Sequence, residues 1–317
     1  MESLTECNLC GGTRFTLFTE KRGTSTGKTF GIVRCDGCSL LFVTPSLTAE
    51  ENAALYDEDY FHGRGFDSSV DYVKLEEEQT QRRLESHGII EKIRILRPEA
   101  DLRILDVGCG TGALLQALGQ AGYTKIQGLE LSHYAASVAR ARCRATIHVG
   151  DILDVDLGGA QFDVINATEV IEHLRDPMRF FQRLRSLLAP NGVFIQSTGN
   201  ADGLYARWLG PRWPYLVPEG HLVYYTPKTL RAYFERAGLE AIEPTCMDRK
   251  TRNALLRCED EIAYGQLGYV GLSDRGIKGF LFRAVASGPR LALGRAVTIL
   301  AGKYALPFAI NRASGSE

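Results

Sequence analysis

Three polar side chains in the segment TEVIEHL have the types and spacing that acid-base chemistry requires. Glu169, Glu172 and His173 occupy positions i, i+3 and i+4, and on an α-helix such positions share one face. A histidine beside a carboxylate titrates near neutral pH and can take a proton from a reacting group. The segment therefore predicts a general base, His173, with Glu172 as its partner. A helix-capping network without chemistry is the alternative.

Four cysteines form a second group with chemical potential, because they occur as two CxxC pairs. Each pair can present two thiolates to one ion, and two pairs supply the tetrahedral four-sulfur set that zinc prefers. The strand-like runs Phe15 to Phe18 and Phe30 to Val33 predict a hairpin between the pairs. Disulfides would need secretion, and a redox pair would need a βαβ setting. We expect a structural zinc ion on Cys7, Cys10, Cys35 and Cys38.

A strand, a glycine turn and a helix must position any ligand near these groups. The sequence RILDVGCGTG places four residues of strand character, Ile104 to Val107, before Gly108, Gly110 and Gly112, and a helical apolar pattern follows at once. Glycine allows positive φ and lets a ligand approach the backbone. The turn therefore predicts a nucleotide-type site, and it also satisfies the loose dinucleotide fingerprint.

Two carboxylates narrow the choice of ligand for this turn. Asp106 lies two residues before the first glycine, where it would repel a pyrophosphate and attract a ligand with an ammonium and a sulfonium. S-adenosylmethionine is such a ligand. Glu130 ends the next buried strand, Ile126 to Leu131, and can accept hydrogen bonds from both ribose hydroxyls. Nicotinamide enzymes share that second feature, so it indicates a nucleoside without naming one.

The segment LDVGCGTG resembles motif I of class I S-adenosylmethionine-dependent methyltransferases, and the resemblance covers at least residues 100–245. It implies that Asp106, the three glycines and Glu130 contact the methyl donor. It also implies that Asp151 accepts a hydrogen bond from the adenine amino group and that Ile152 packs on the ring. The expected fold class is α/β, a Rossmann-like sheet of seven strands, six parallel and strand 7 antiparallel, with an N-terminal zinc ribbon and a helical cap.

Two further resemblances concern the acceptor side. The ExxEH segment is similar to the magnesium-binding motif of small-RNA 3'-end 2'-O-methyltransferases and to segments of ubiquinone-biosynthesis O-methyltransferases. In the RNA family a further histidine completes the site, and His221 matches it, which implies magnesium on Glu169, Glu172, His173 and His221. The run LFVTPSLTAEENAALYDEDYF resembles a segment of bacterial methyltransferases acting on sugars or small metabolites. It implies that Tyr56 or Tyr60 lies near the active site; packing of aromatic residues under a lid is the alternative.

Composition limits the partners that we expect. With 37 basic and 38 acidic residues the formal net charge is -1, which gives no electrostatic case for nucleic acid or a membrane surface. The N-terminus lacks a basic region followed by an apolar run, and no apolar stretch reaches the length of a membrane span. We therefore expect a soluble, cytoplasmic protein.

The predicted organisation has five parts. They are a zinc ribbon (1–45), a helical lid or linker (46–98), the Rossmann-like core (99–248), a helical insertion or cap (249–303), and a last strand, Tyr304 to Ile310, with a tail (304–317). The aromatic stretch Thr198 to Pro218 reads as a wall of the substrate pocket. A helical pattern runs from Ser69 to Leu96.

The function that these observations predict is methyl transfer from S-adenosylmethionine to a small molecule. A sugar, nucleotide-sugar or natural-product acceptor is expected, methylated on oxygen or carbon, with Glu172, His173, His221 and Tyr60 on the acceptor side. A magnesium-dependent RNA 2'-O-methyltransferase, an NAD-dependent oxidoreductase and a non-enzymatic zinc-ribbon adaptor are the alternatives. The identity of the acceptor and the oligomeric state do not follow from the sequence.

Overall fold

A twisted sheet with helices on both faces forms the centre of the protein. The computed structural model describes residues 1–66, 71–73, 80–242, 254–255, 257–258 and 310–313. The strands of the larger sheet are β4 (Arg103–Val107), β5 (Lys125–Glu130), β6 (Thr146–Val149), β7 (Phe162–Thr168), β8 (Leu188–Ser197), β10 (Leu239–Ile242) and β11 (Ile310–Ala313). Their order is β10-β11-β8-β7-β4-β5-β6, in which five neighbouring strands pair in parallel and β11 pairs antiparallel with both β8 and β10. The predicted α/β Rossmann-like class is confirmed.

Alternating apolar side chains explain why this sheet is covered on both faces. Leu105 and Ile165 point to one face, whereas their neighbours Ile104 and Val164 point to the other, as the two-residue period of a strand requires. The helices of the described residues are α1 (Ala49–Ala53), α2 (Glu58–Phe61), α3 (Thr80–Leu96), α4 (Ala113–Gln120), α5 (His133–Arg142), α6 (Pro177–Leu187), α7 (Leu204–Leu209) and α8 (Pro227–Ala237). Helices α6 and α8 cover the first face, and α3 and α4 cover the second.

A second, smaller sheet carries the two CxxC pairs. Its order is β1-β2-β3-β9, with β1 (Phe15–Arg22), β2 (Thr29–Cys35), β3 (Leu41–Val43) and β9 (Val223–Tyr224). The predicted hairpin between the pairs is present, and both strands are longer than predicted. Strand β9 comes from far along the chain and pairs Tyr224 with Leu41. Strand β9 thus joins the ribbon to the core, and the CxxC pairs do not predict this strand.

Several predicted elements differ from the structure or lie partly outside the described residues. The sequence predicts the sixth strand of the sheet over Glu240 to Cys246; strand β10 begins one residue earlier, at Leu239, and residues 243–246 lie outside the described part. Strand β11 extends past the predicted end at Ile310, and residues 304–309 are not described. The predicted cap over 249–303 falls almost wholly outside the described residues. In the part of the chain that is described, every helix is too short or too polar to cross a membrane.

Candidate active site

The glycine turn connects β4 to α4 with three left-handed residues. Gly108, Gly110 and Gly112 have φ values of +70°, +52° and +86°, which residues with a Cβ rarely adopt. A Cβ on Gly108 would lie 2.5 Å from the Val170 side chain, whereas a Cβ on Gly110 would meet no atom within 4 Å. The turn is therefore packed on one side and open at Gly110, as a ligand-binding turn must be.

Asp106 is buried at the end of β4 and is oriented by a neighbouring strand. The Asn166 side-chain amide on β7 donates a hydrogen bond of 2.8 Å to Asp106 Oδ1, and Thr168 Oγ1 donates to Asn166 Oδ1 at 3.2 Å. A buried carboxylate held in this way can bind the ammonium group of a ligand. Sequence reasoning missed Asn166, because its role depends on the pairing of β4 with β7.

Glu130 is the last residue of β5, and Asp151 lies two residues after the end of β6, in the order that the motifs predict. The Glu130 carboxylate accepts hydrogen bonds from the main-chain N–H groups of Gly110 and Ser132, both at 2.8 Å. Burial raises the pKa of Glu130, although these N–H groups oppose the shift. Asp151 is exposed and accepts from Leu153 N at 2.8 Å, and Ile152 is buried beside it. Their contacts with a ribose and an adenine stay predictions.

The ExxEH segment is not an α-helix. Glu169 has a left-handed φ of +52°, and a short 3₁₀ helix, Ile171–His173, follows it. The α-helical face that would align Glu169, Glu172 and His173 is therefore not formed. The turn at Glu169 interrupts the helical path, and the two carboxylates meet through a residue that lies elsewhere in the chain.

Tyr215 is the residue that joins the two carboxylates, Glu169 and Glu172. Its hydroxyl donates to Glu172 Oε1 at 2.6 Å, lies 3.0 Å from Glu169 Oε2, and accepts from Gly199 N at 2.9 Å. One hydroxyl has one hydrogen, so both carboxylates can bind this oxygen together only when one of them brings a proton. The aromatic stretch was expected to form a wall; Tyr215 in addition organises the acidic pair.

The two carboxyl groups of this pair have opposite pKa shifts. Burial and the neighbouring charge of Glu172 raise the pKa of Glu169 well above its usual range. Burial also acts to raise the pKa of Glu172, but His173, His221 and the Tyr215 hydroxyl outweigh it and lower the pKa. Glu169 is accordingly the protonated member, and Glu172 the ionised one.

Main-chain carbonyl groups orient both histidines. His173 Nδ1 lies 3.0 Å from the Gly220 carbonyl oxygen, and His221 Nδ1 lies 2.8 Å from that of Tyr215. Because a carbonyl only accepts, each Nδ1 carries a proton, so that Nε2 holds the lone pair when the imidazole is neutral. His173 Nε2 is 3.9 Å from Glu172 Oε1. Glu172, His173 and His221 place ligand atoms within 4.8 Å of one another, without Glu169.

Of the two candidate tyrosines, Tyr56 contacts the predicted base. The Tyr56 hydroxyl lies 2.8 Å from His173 Nδ1. The Tyr60 hydroxyl instead lies 2.9 Å from that of Tyr72, and the Tyr60 ring stacks on Phe66. The structure therefore places Tyr56 beside His173 and Tyr60 in the surrounding aromatic wall, and a catalytic role for Tyr60 stays a prediction.

One cavity contains both halves of the site. Its volume is about 1030 Å³, and its lining includes Asp106, Gly110 and Glu130 together with Tyr56, Glu172 and His173. Cavities that bind drug-sized ligands usually measure about 300–1,000 Å³. The space is thus sufficient for a nucleoside-type donor and a small acceptor side by side.

The four N-terminal cysteines form a compact cluster away from this cavity. The Sγ atoms of Cys7 and Cys38 are 3.6 Å apart, and those of Cys10 and Cys35 are 3.5 Å apart. Four thiolates about 2.3 Å from a zinc ion would be about 3.8 Å from one another, so the cluster fits such an ion closely. Each CxxC pair ends in a tight turn. Gly11 and Ser39, each four residues after the first cysteine of its pair, have positive φ and donate their N–H groups to the carbonyls of Cys7 and Cys35. The cluster could bind a metal ion, and zinc is the expected one.

Comparison with known proteins identifies the family. The family model described as a methyltransferase domain matches residues 77–243, which is more than half of the chain. The chain belongs to the class I S-adenosylmethionine-dependent methyltransferases. The ambiguity of the glycine turn between a methyl donor and a nicotinamide dinucleotide is thereby resolved in favour of the methyl donor.

Individual methyltransferases resemble the chain over its central part. It is 32% identical over 169 residues to the ubiquinone biosynthesis O-methyltransferase of Azorhizobium caulinodans, covering 47% of this chain and 63% of that protein. It is 38% identical over 116 residues to the dTDP-4-amino-2,3,4,6-tetradeoxy-D-glucose N,N-dimethyltransferase of Saccharopolyspora spinosa, covering 35% and 45%. An S-adenosylmethionine-dependent methyltransferase structure from Clostridium acetobutylicum matches with 18% identity, a TM-score of 0.43 and coverage of 54% and 86%. The chain thus covers less than two thirds of the length of the Azorhizobium caulinodans and Saccharopolyspora spinosa proteins.

Proposed function

We propose that this protein transfers a methyl group from S-adenosylmethionine to a small-molecule acceptor of the sugar, nucleotide-sugar or natural-product class. The observation that carries the proposal is the single cavity that is lined both by Asp106 and the glycine turn and by His173 and Glu172. Two relatives named for ubiquinone biosynthesis and for a dTDP-amino sugar agree with a small acceptor. So does the net charge of -1, which offers no attraction to an RNA backbone.

In this proposal His173 is the general base. Methyl transfer is an in-line attack on the sulfonium carbon, so an acceptor hydroxyl or an acidic carbon must lose its proton as the new bond forms. The Nε2 lone pair of His173 takes that proton, and the ionised Glu172, 3.9 Å away, stabilises the resulting imidazolium. The Gly220 carbonyl fixes the tautomer. Asp106 and Glu130 hold the ammonium and ribose ends of the donor.

The test is a screen of candidate acceptors with donor that carries a labelled methyl group. We expect label on a sugar or natural-product acceptor, and we expect His173→Ala to lower the rate by about 10²–10⁴-fold, the usual contribution of a general base. Binding of S-adenosylhomocysteine, measured by calorimetry, should be unchanged, because His173 does not contact the donor in this scheme. Label recovered in RNA, or full activity of His173→Ala, would refute the proposal.

A metal ion on Glu172, His173 and His221 is the second candidate for the acceptor side, and its observation is the convergence of these three groups within 4.8 Å. Magnesium stays a prediction; it prefers oxygen ligands, whereas two of these three are imidazoles. If a metal ion acts here, His221→Ala should reduce the rate as much as His173→Ala, and added divalent ions should raise the rate of the wild type. If His173 acts as a base, His221→Ala should retain more activity and added ions should have no effect.

A further inference from the structure

The N-terminal ribbon forms part of the wall of the cavity. Residues 21–24, at the end of β1 and the start of the following turn, line the same cavity as Gly110 and His173. None of the contacts described above for the donor or for the acid-base pair uses these residues. The ribbon therefore has a position from which it can contact the acceptor.

Glu219 fixes the ribbon turn in this position. Its carboxylate accepts hydrogen bonds from the main-chain N–H groups of Thr24, Ser25 and Thr26 at 2.6, 3.2 and 2.7 Å. A Cβ on Gly23 would lie 2.3 Å from the carboxyl carbon, so the close approach requires glycine there. Main-chain donors thus satisfy the charge of Glu219, and two residues later the chain reaches His221.

Lys21 stands in this wall with no acidic partner among the described residues. It is partly buried, and burial lowers its pKa with no opposing contribution from a carboxylate. By contrast, Lys28 at the other side of the hairpin forms an ion pair with Glu51, with 2.5 Å between Nζ and Oε1. A partly buried ammonium without a counter-charge is unfavourable unless a ligand supplies one.

We propose that Lys21 binds an anionic group of the acceptor, a phosphate or a carboxylate; the adjacent Arg22 donates its Nε–H to the Gly27 carbonyl at 3.0 Å. The charges of the cavity support this division of roles. Asp106 and Glu130 give the donor end a negative character that suits a cationic donor, whereas the basic side chains that the ribbon contributes to the lining are Lys21 and Arg22, and main-chain N–H groups satisfy the nearby Glu219. The inference rests on the proposed function, because it concerns the acceptor of the same site. It makes the ribbon a determinant of acceptor specificity.

The test uses the full chain, loaded with zinc and saturated with S-adenosylhomocysteine, in calorimetric titrations at low ionic strength. Inorganic phosphate and malonate are the two probes, and the one that binds identifies the anion class. We expect Lys21→Met to weaken binding of that probe by about tenfold or more, which corresponds to about 1.4 kcal/mol. Lys21→Arg, which keeps the charge, should stay within about threefold of the wild type.

Lys28→Met is the matched control, because Lys28 belongs to the same hairpin but does not line the cavity. It should bind the probe within about twofold of the wild type. The inference is overturned if neither anion binds, or if Lys21→Met binds as tightly as Lys28→Met. Failure of S-adenosylhomocysteine to bind would count against the proposed function instead, so the two failures are distinguishable.

Discussion

At the scale of single residues, Tyr215 is central to the part of the cavity that we propose binds the acceptor. Its hydroxyl joins Glu169 and Glu172, its carbonyl orients His221, and its ring packs on that imidazole with 4.3 Å between centroids. Tyr215→Phe keeps the ring and the carbonyl and removes only the hydroxyl. Because a hydrogen bond to a charged group contributes about 1.5–3 kcal/mol, we expect kcat to fall by roughly 10- to 100-fold, with unchanged affinity for S-adenosylhomocysteine. Steady-state kinetics and calorimetry measure the two effects.

Tyr224→Phe provides the control for that prediction. Tyr224 is fully buried, and its hydroxyl has no hydrogen-bond partner among the described residues. Removing an unsatisfied buried hydroxyl should leave stability unchanged or raise it by about 1 kcal/mol, with activity within about twofold. If Tyr224→Phe reduces kcat as strongly as Tyr215→Phe, the loss reflects packing near β9, and positioning of Glu172 by Tyr215 is rejected.

The residues that sequence reasoning found are those whose role follows from local spacing. Asp106 lies two residues before the first glycine of the turn. The spacing within and between the two CxxC pairs is itself enough to predict a four-thiolate cluster. Asn166 and Tyr215 were missed as functional residues because they act across strands or loops, on groups 60 and 43 positions away in the chain. Only the observation that polar residues end adjacent parallel strands could have suggested Asn166.

At the scale of elements, an ion pair joins the starts of β4 and β7. The Arg103 guanidinium donates two hydrogen bonds of 3.0 Å to Asp163, and Arg103 N donates a third of 2.9 Å. These contacts outweigh burial and hold the pKa of Asp163 below its usual value. Asp163→Asn should therefore lower the free energy of unfolding at pH 7 by about 1 kcal/mol, since part of the pair is exposed.

The effect of Asp163 should depend on pH in a defined direction. A carboxyl group with a lowered folded-state pKa stabilises the fold above its unfolded pKa, near 3.9, and loses that contribution as pH falls through the folded pKa. The difference in Tm between the wild type and Asp163→Asn should thus be largest near neutral pH and shrink below about pH 4. A difference that stays constant between pH 7 and pH 3 would show that packing, not charge, is responsible.

Elements with a strong local pattern were predictable, and those set by tertiary contacts were not. The strand-like run before the glycine turn indicated β4, and the run Ile126 to Leu131 indicated β5, which spans Lys125–Glu130. The path after β7 was not predictable, because the left-handed φ of Glu169 depends on the packing and hydrogen bonds around it. Strand β9 has two residues and owes its existence to pairing with β3, so no local pattern reveals it.

At the scale of the whole molecule, the N-terminal ribbon and the Glu172 side of the cavity form one structural unit. Val43 N donates to the Leu222 carbonyl at 2.9 Å, and Leu222 N donates to the Glu172 carbonyl at 2.7 Å. At the CxxC end, the Asn8 amide donates to Asp176 Oδ1 at 3.2 Å, next to α6. The Asp106 turn and Glu130 belong instead to the central strands of the larger sheet. A change in the ribbon should therefore affect acceptor chemistry more than donor binding.

Zinc removal tests this connection. A four-thiolate site contributes directly to folding of the segment that holds it, so Cys35→Ser should abolish stoichiometric zinc, measured by mass spectrometry, and lower Tm. Because His221 and Glu172 are linked to the ribbon through Leu222, methyl transfer should fall by about tenfold or more. Affinity for S-adenosylhomocysteine should stay within about threefold of the wild type, since the parallel strands remain folded.

Cys143→Ser, outside the ribbon, is the control and should change neither zinc content nor rate. Equal loss of donor binding and methyl transfer in Cys35→Ser would mean that the ribbon stabilises the whole fold and has no selective link to the acceptor side.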